Sequence, residues 1–227
     1  MSKILSALGA VSGEVQDFRV IVIGHLKWNP HFGETQDAPP RGDPSTCTSV
    51  LLRGQKDGKP FVLVMDPTIR NTAEDYHFDI FRRTGLRPEA ITHCFISHCH
   101  FDHYAGVTSF PNAQWLTSPE TAKRLESQPV GSRLKPVTGE FLPGVFSVNL
   151  PGHTMDLCGL AFRFQGLRVI AAADSVMTED HFFFEDGMFE EDKDLARETL
   201  REEKKWADIV VPGHGNVIVN RFSSNGL

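Results

Sequence analysis

The sequence predicts an α/β domain made of two similar halves, in which two β-sheets pack together and helices cover the outside. Short β-like runs alternate with turn signals, and the order of strands followed by a helix occurs twice along the chain. The 227 residues are 40% hydrophobic and 23% charged, a balance typical of a globular protein with a sizeable core. Because α/β folds of this length often stay undivided, one domain over residues 1–227 is expected.

The elements of the first half follow from runs of apolar residues and from turn and capping signals. Strands are predicted over residues 18–26, 48–54, 60–66, 90–97 and 113–118. A helix is predicted from Ala73 to Thr84, where apolar side chains fall near helical spacing and Gly85 can end the helix. Ser118 can cap a second helix, with Pro119 at its first position.

The second half repeats this order. Strands are predicted over residues 144–150, 160–164, 167–174 and 208–211. A charged helix from about Glu191 to Trp206 precedes the last of them. Two stretches fit no element: the Pro/Gly/Asp-rich connection 25–46, and residues 181–189, which hold four phenylalanines. Long connections in compact domains are usually functional or disordered.

Potential metal ligands crowd the stretch FISHCHFDHYAG, residues 95–106. If the strand before it continues, His98 and His100 point to the same side, and Asp102 and His103 follow at the next turn. These four side chains are too many for one tetrahedral zinc with an open position. The sequence therefore favours two metals that share a site.

Three further candidates each stand directly after a predicted strand. His153 and His214 lie in Pro-Gly turns, and Asp174 ends an apolar run in which an unpaired carboxylate would be costly. Loops at the carboxyl ends of strands build the sites of α/β folds. We expect these side chains to complete the ligand set.

The pattern His98-x-His100-x-Asp102-His103, followed by His153, Asp174 and His214, resembles the metal signature of the metallo-β-lactamase superfamily. The likeness extends from about Phe18 to Val219. It implies the αββα four-layer sandwich with the metals at one edge between the halves. Asp66 resembles an aspartate of the family that orients the site by hydrogen bonds without binding metal.

The resemblance also implies a role for each candidate ligand. His98, His100 and His153 would hold the first metal; Asp102, His103 and His214 the second; and Asp174 would bridge both. The cofactors implied are two divalent metal ions, with zinc expected and iron or manganese also compatible with His/Asp ligands. A metal-bridging hydroxide would be the nucleophile, and Asp102 has a second, catalytic role in accepting its hydrogen bond.

The resulting hypothesis is a metal-dependent hydrolase of a small ester, thioester or lactone. Asp174 stands where many β-lactamases of the superfamily carry cysteine, His100 stands where flavodiiron proteins carry glutamate, and the 13 residues after His214 leave no room for the helical domain of glyoxalase II. Two alternatives stay open: a phosphodiesterase or nuclease acting on RNA or a nucleotide, and a mononuclear-iron sulfur dioxygenase.

The hydrolase hypothesis predicts a small-molecule substrate. The net charge of −6 disfavours nucleic acid, although arginines 82, 83 and 87, or Arg133 with Lys135, could contact phosphate. No apolar run approaches the ~20 residues that span a bilayer, and the N-terminus is a poor signal peptide. A cytoplasmic protein that does not enter membranes is expected, with its four cysteines as buried thiols.

The aromatic residues near the site allow two interpretations. Trp28 and Phe32, together with Phe182–Phe184, could form apolar walls over the metals or pack an edge or a homodimer interface. Tyr104 could face the substrate or pack a helix start. His31 and His181 are weaker pocket candidates than the seven ligands.

Overall fold

Two six-stranded β-sheets pack face to face in the computed structural model, which describes residues 3–26, 45–69 and 72–224 of the chain. The first sheet holds, in spatial and sequence order, β1 (Asp17–Val22), β2 (Ser49–Lys56), β3 (Lys59–Met65), β4 (His93–Ile96), β5 (Gln114–Thr117) and β6 (Leu134–Pro136). The first three strands are antiparallel, and β3 to β6 run parallel.

The second sheet is built from the second half of the chain. Its strands are β7 (Gly139–Leu142), β8 (Val145–Asn149), β9 (Cys158–Phe164), β10 (Leu167–Ala173), β11 (Ile209–Pro212) and β12 (Ile218–Val219). They lie in the order β12-β11-β10-β9-β8-β7, and only β10 and β11 are parallel.

Five α-helices are described, and they cover the outer faces of the sheets. They are α1 (Lys3–Gly9), α2 (Ala73–Thr84), α3 (Pro119–Arg124), α4 (Glu179–Phe184) and α5 (Lys193–Trp206). The hydroxyl of Thr72 caps the start of α2, and Gly85 ends it with a left-handed φ of 72°. Since φ above zero is strained for residues with a Cβ, glycine suits this position.

The core is divided into three layers of apolar contact. The middle layer lies between the sheets and joins Leu63 and Phe95 of the first sheet to Leu160 and Phe162 of the second. The second layer packs α1, α4 and α5 against the second sheet, and the third packs α2 against the first sheet. The order of layers is therefore helix, sheet, sheet, helix, as expected from the sequence.

The predicted elements agree with the structure at most positions. The helix Ala73–Thr84 and the cap at Ser118 are confirmed, and the turn at Gln165-Gly166 joins β9 to β10 with positive φ at both residues. The assignment of 181–189 to no element is wrong in part, because its first four residues belong to α4. Thr178 caps that helix, a signal at its start that the sequence interpretation did not use.

Other expectations concern the cysteines and membranes. Cys47, Cys94 and Cys158 are buried free thiols, as predicted, whereas Cys99 is only partly buried. Within the described parts of the chain, no helix has the length and apolar character needed to cross a bilayer.

Candidate metal centre

The seven predicted ligands meet at one end of the sandwich. His98 and His100 follow β4, His153 follows β8, Asp174 follows β10, and His214 follows β11. Because β8, β10 and β11 point in the same direction within their sheet, their carboxyl ends reach the same edge. Asp102 and His103 lie in the 3-10 turn Phe101–His103, beside that edge.

The first group of donor atoms is formed by three imidazoles and one carboxylate. His100 Nδ1 lies 3.0 Å from His98 Nε2 and 3.1 Å from His153 Nε2. Asp174 Oδ2 lies 3.3 Å from His153 Nε2 and 3.9 Å from His98 Nε2. The four side chains therefore point at a common centre.

The second group uses Asp102, His103 and His214, and again Asp174. Asp102 Oδ2 lies 3.6 Å from His214 Nε2 and 3.9 Å from His103 Nε2. Asp174 Oδ1 lies 3.2 Å from His103 Nε2, and its Oδ2 lies 3.4 Å from His214 Nε2. Asp174 is thus the side chain common to both groups.

These separations fit a pair of metal sites. Two nitrogens in a tetrahedral zinc site, each about 2.0 Å from the ion, lie roughly 3.3 Å apart. The contacts of His100 Nδ1 with two other nitrogens cannot both be strong hydrogen bonds, because an imidazole nitrogen has either one proton to donate or one lone pair to accept with. His103 Nε2 and Asp174 Oδ1 are buried 3.2 Å apart, and neither atom forms a hydrogen bond of good geometry within the described residues. A cation would be a suitable partner for both atoms.

Hydrogen bonds on the far side of the rings fix their orientation. His103 Nδ1 lies 2.8 Å from Asp66 Oδ2, while Asp66 Oδ1 accepts a 2.8 Å hydrogen bond from the Ser97 backbone N–H. His98 Nδ1 lies 2.9 Å from the Ser97 hydroxyl oxygen. Asp66 therefore occupies the orienting position that the sequence predicted. Such partners aim a ligand nitrogen and raise its basicity.

The second-sheet histidine His214 is oriented by the backbone of the 25–46 connection. Its Nδ1 donates to the carbonyl oxygen of Thr46 at 3.0 Å and approaches that of His25 at 3.3 Å. A carbonyl can only accept, so Nδ1 carries a proton and Nε2 is the nitrogen that faces the site. The two ends of the connection are joined here, because His25 and Thr46 form a β-bridge.

Electrostatics keep a carboxylate at the centre of the cluster. Burial opposes the ionisation of Asp174, but His214 and His103 overcome this effect and hold the pKa of its carboxyl well below the usual value. Burial lowers the pKa of His98 and His153, and the positive charge of His103 lowers both further. These two imidazoles are therefore neutral at pH 7, the form that binds metal.

Close packing allows Asp174 to reach this position. A Cβ on Gly213 would lie 1.8 Å from Asp174 Oδ1, so any larger residue would displace the carboxylate.

Beneath the second group, the Cys47 sulfur lies 3.2 Å from the carbonyl oxygen of Asp102. Burial raises the pKa of this thiol to about 12, which keeps it neutral. Cys47 was treated as inert core in the sequence, and no local signal distinguishes it.

A cavity of about 450 Å³ opens above the donor atoms. Its floor is formed by five of the predicted ligands, and its apolar walls by Leu26, Phe101, Met177 and Phe189. No lysine or arginine is among the described residues that line it. The pocket therefore suits an uncharged group with apolar substituents.

The segment Phe182–Phe184 does not form the apolar wall that the sequence suggested. Phe182 is buried in the core against the second sheet, Phe183 and Phe184 are exposed on α4, and none of the three lines the cavity. Phe189, from the same aromatic segment, does line it. Three consecutive helical positions point in three directions, so a Phe-Phe-Phe run cannot present one face. Trp28, Phe32 and His31 lie outside the described residues.

Two further candidates lie away from the cavity. Tyr104 packs against the core outside the first sheet and makes an edge-to-face contact with Phe101. This arrangement agrees with the packing interpretation. His181 is buried behind the site, where its Nδ1 accepts a hydrogen bond from the Met177 backbone N–H at 3.1 Å.

Solved structures with a similar fold include several lactonases. A mutant of AiiA from B. thuringiensis with N-decanoyl-L-homoserine bound at its active site is 19% identical, with a TM-score of 0.63 over 85% of this chain and 88% of that one. AidC, a dizinc quorum-quenching lactonase in complex with a product, is 17% identical, with a TM-score of 0.58 over 74% of this chain and 72% of that one. At these identities the likeness shows the fold alone.

Curated relatives are also N-acyl homoserine lactonases. One from a Bacillus species is 27% identical over 158 residues, and AiiA from Bacillus thuringiensis subsp. kurstaki is 28% identical over 158 residues. Each alignment covers 63% of this chain and 63% of the relative, so the match spans less than two thirds of the relatives' length. A model of the metallo-beta-lactamase superfamily matches residues 42–214. This match covers most of the chain and confirms the resemblance seen in the ligand pattern, and the chain therefore belongs to the metallo-beta-lactamase superfamily.

Proposed function

We propose that this protein is a metal-dependent hydrolase that binds two divalent cations and cleaves a small ester, thioester or lactone. The observation that carries the proposal is the meeting of two donor groups that share Asp174, below a cavity with apolar walls. Membership of the superfamily and similarity to lactonases support hydrolysis.

The residues divide between two cations. His98, His100 and His153 would hold the first, Asp102, His103 and His214 the second, and Asp174 both. Zinc fits nitrogen and carboxylate donors at these separations, and iron or manganese would use the same atoms. Two such cations would supply a nucleophile from water at neutral pH and polarise the substrate carbonyl.

Asp102 has a position that suits a catalytic role. Its side chain is 29% exposed and lines the cavity, whereas the Asp174 side chain is 3% exposed. A carboxylate that faces the cavity can accept a hydrogen bond from the attacking water and orient it. We assign this role to Asp102 in addition to metal binding.

The apolar walls of the cavity indicate which class of substrate it can hold. Leu26, Phe101, Met177 and Phe189 can cover an acyl or alkyl group. Two of the basic residues considered for phosphate binding are engaged elsewhere: Arg82 pairs with Asp79, and Arg133 stacks on Trp115. Among carbonyl substrates we favour a lactone, because the curated relatives are lactonases.

The test combines metal analysis with a substrate panel. Protein as purified should contain about two zinc per chain and should hydrolyse lactones or acyl esters in preference to bis-nitrophenyl phosphate. A chelator should abolish the activity, and added zinc should restore it. One iron per chain with sulfur oxidation would instead support a dioxygenase, and activity that survives complete metal removal would contradict the proposal.

A further inference from the structure

An ion pair outside the cavity connects the segments that carry the first donor group. Arg124, the last residue of α3, donates from Nη1 to Glu191 Oε1 at 2.7 Å and from Nη2 to Glu191 Oε2 at 2.9 Å. The Arg124 guanidinium holds the pKa of the Glu191 carboxyl below its usual value. We call this pair the Arg124–Glu191 clamp. Its two-pronged geometry is the most specific that an arginine and a carboxylate can adopt.

Glu191 forms two hydrogen bonds with the turn that carries His153. Its carboxylate Oε2 accepts a 2.8 Å hydrogen bond from the Met155 backbone N–H, and its own backbone N–H donates to the His153 carbonyl oxygen at 3.0 Å. The next residue, Asp192, donates its N–H to the Gly152 carbonyl oxygen, also at 3.0 Å. The position of the His153 backbone is therefore tied to the position of Glu191.

Arg124 makes the corresponding contacts with the other side of the site. Its Nη1 lies 3.6 Å from the sulfur of Cys99, which stands between His98 and His100. The same Nη1 lies 3.2 Å from Asp156 Oδ1, a carboxylate whose side chain is 1% exposed. Neither oxygen of Asp156 forms a hydrogen bond within the described residues. Arg124 is thus the charge that faces this buried acid.

The clamp spans the two halves of the sandwich. Arg124 belongs to α3, which follows β5 of the first sheet, and Glu191 precedes α5, which packs on the second sheet. His98 and His100 come from the first half, and His153 comes from the second. The separation of these histidines therefore depends on how the halves are held together at this point.

We propose that the Arg124–Glu191 clamp positions His153 against His98 and His100 and thereby sets the affinity of the first donor group for its cation. The inference rests on the proposed metal sites. The Arg124–Glu191 pair is partly exposed and alone contributes little to stability, so Glu191→Gln should leave the fold intact, whereas Arg124→Gln also removes the charge that faces the buried Asp156 carboxylate. Outer partners of metal ligands, in contrast, commonly change metal affinity by about 10- to 100-fold. Both residues act through His153 and are positioning residues.

The experiment measures zinc affinity in the full chain by competition with a chelator. Arg124→Gln and Glu191→Gln should each lower the zinc affinity of one of the two sites, the one formed by the first donor group, by about 10-fold or more. The affinity of the other site should fall by less. The matched control is Arg201→Gln, since Arg201 forms a 2.8 Å ion pair with Glu185, and no contact of this pair with a segment that carries a predicted ligand is found among the described residues. Its zinc affinities should stay within about twofold of the wild type.

A double variant tests whether the two residues act as one unit. If they do, Arg124→Gln with Glu191→Gln should bind zinc about as weakly as either single variant, because both remove the same interaction. Thermal unfolding of the metal-free proteins shows whether each variant is folded. Glu191→Gln keeps the size of the side chain and an oxygen for the Met155 N–H, so it tests the clamp even if Arg124→Gln fails to fold.

The outcomes separate the clamp from the function on which it rests. A wild-type protein that binds no zinc contradicts the proposed function, and the clamp with it. A wild-type protein that binds two zinc ions, with unchanged affinities in folded Arg124→Gln or Glu191→Gln, contradicts only the clamp. Effects of the two substitutions that simply add in the double variant would also overturn it.

Discussion

A buried acid behind the metal centre makes a quantitative prediction about stability. Glu203 of α5 is fully buried, and its Oε1 lies 2.6 Å from the hydroxyl oxygen of Ser175, the residue after Asp174. That hydroxyl also lies 3.0 Å from the Ala172 carbonyl oxygen. Burial raises the pKa of Glu203 from 4.5 to about 8. A protonated Glu203 can donate to Ser175, which donates onward to Ala172, so the neutral acid completes the chain of hydrogen bonds.

The sign of the pH dependence follows from this raised pKa. Below pH 4.5 the acid is neutral in both the folded and the unfolded chain. Between pH 4.5 and about 8 the unfolded chain loses this proton while the folded chain keeps it, so the free energy of unfolding falls as pH rises. Each pH unit in this interval costs about 1.36 kcal/mol. The cost is therefore about 3 kcal/mol at pH 7 and about 5 kcal/mol above pH 8.

Glu203→Gln removes this titration and keeps a group that can donate to Ser175. We expect the variant to gain stability relative to the wild type by about 1.4 kcal/mol for each pH unit from pH 5 to pH 8. Denaturant unfolding of both metal-free proteins at four pH values measures this difference, in which the titration of all other groups cancels. A difference that does not change with pH would refute the reasoning, because Glu203 would then ionise as it does in water.

Three further substitutions test the site. Asp174→Asn removes the charge shared by both donor groups, so elemental analysis should find less than one zinc per chain and kcat/KM should fall by at least about 100-fold. Gly213→Ala places a Cβ 1.8 Å from Asp174 Oδ1 and should weaken zinc binding about 10-fold, whereas Gly215→Ala, with 3.4 Å to its nearest neighbour, should not. Phe189→Gly should lower the ratio of kcat/KM for octanoyl over acetyl esters about 10-fold; an unchanged ratio would remove Phe189 from the binding surface.

The meeting of the seven candidate ligands could be predicted from the sequence because metal chemistry restricts both residue type and position. Only a few types of side chain bind zinc. The candidates at 98, 100, 153, 174 and 214 each follow a strand whose apolar run is visible in the sequence. A strand also fixes where its carboxyl end lies once the sheet order is known. Residue type, spacing and fold class therefore all predict that these side chains meet at one edge of the sheets.

The cavity walls could not be predicted because they depend on loop conformation. Leu26 and Phe189 come from segments with no regular period, and Phe189 has a φ of 58°, which phenylalanine rarely adopts. The aromatic run at 182–184 was the stronger signal by composition, but α4 turns those side chains to different sides. The contacts of Arg124 are similarly invisible, because its partners lie 25 to 67 positions away along the chain.

In each half of the chain, a residue with positive φ stands at the end of a strand beside the candidate metal centre. β3 is followed by Asp66 with a φ of 49°, and β10 ends at Ala173, also with a φ of 49°, directly before Asp174. A positive φ at a residue with a Cβ costs about 1–3 kcal/mol and persists only where the surroundings enforce it. In both places the chain turns sharply so that a carboxylate points into the site: Asp66 onto His103 Nδ1, and Asp174 onto His103 Nε2. His103 is thus held between a carboxylate from each half, and each carboxylate stands at or directly after a positive-φ residue at a strand end.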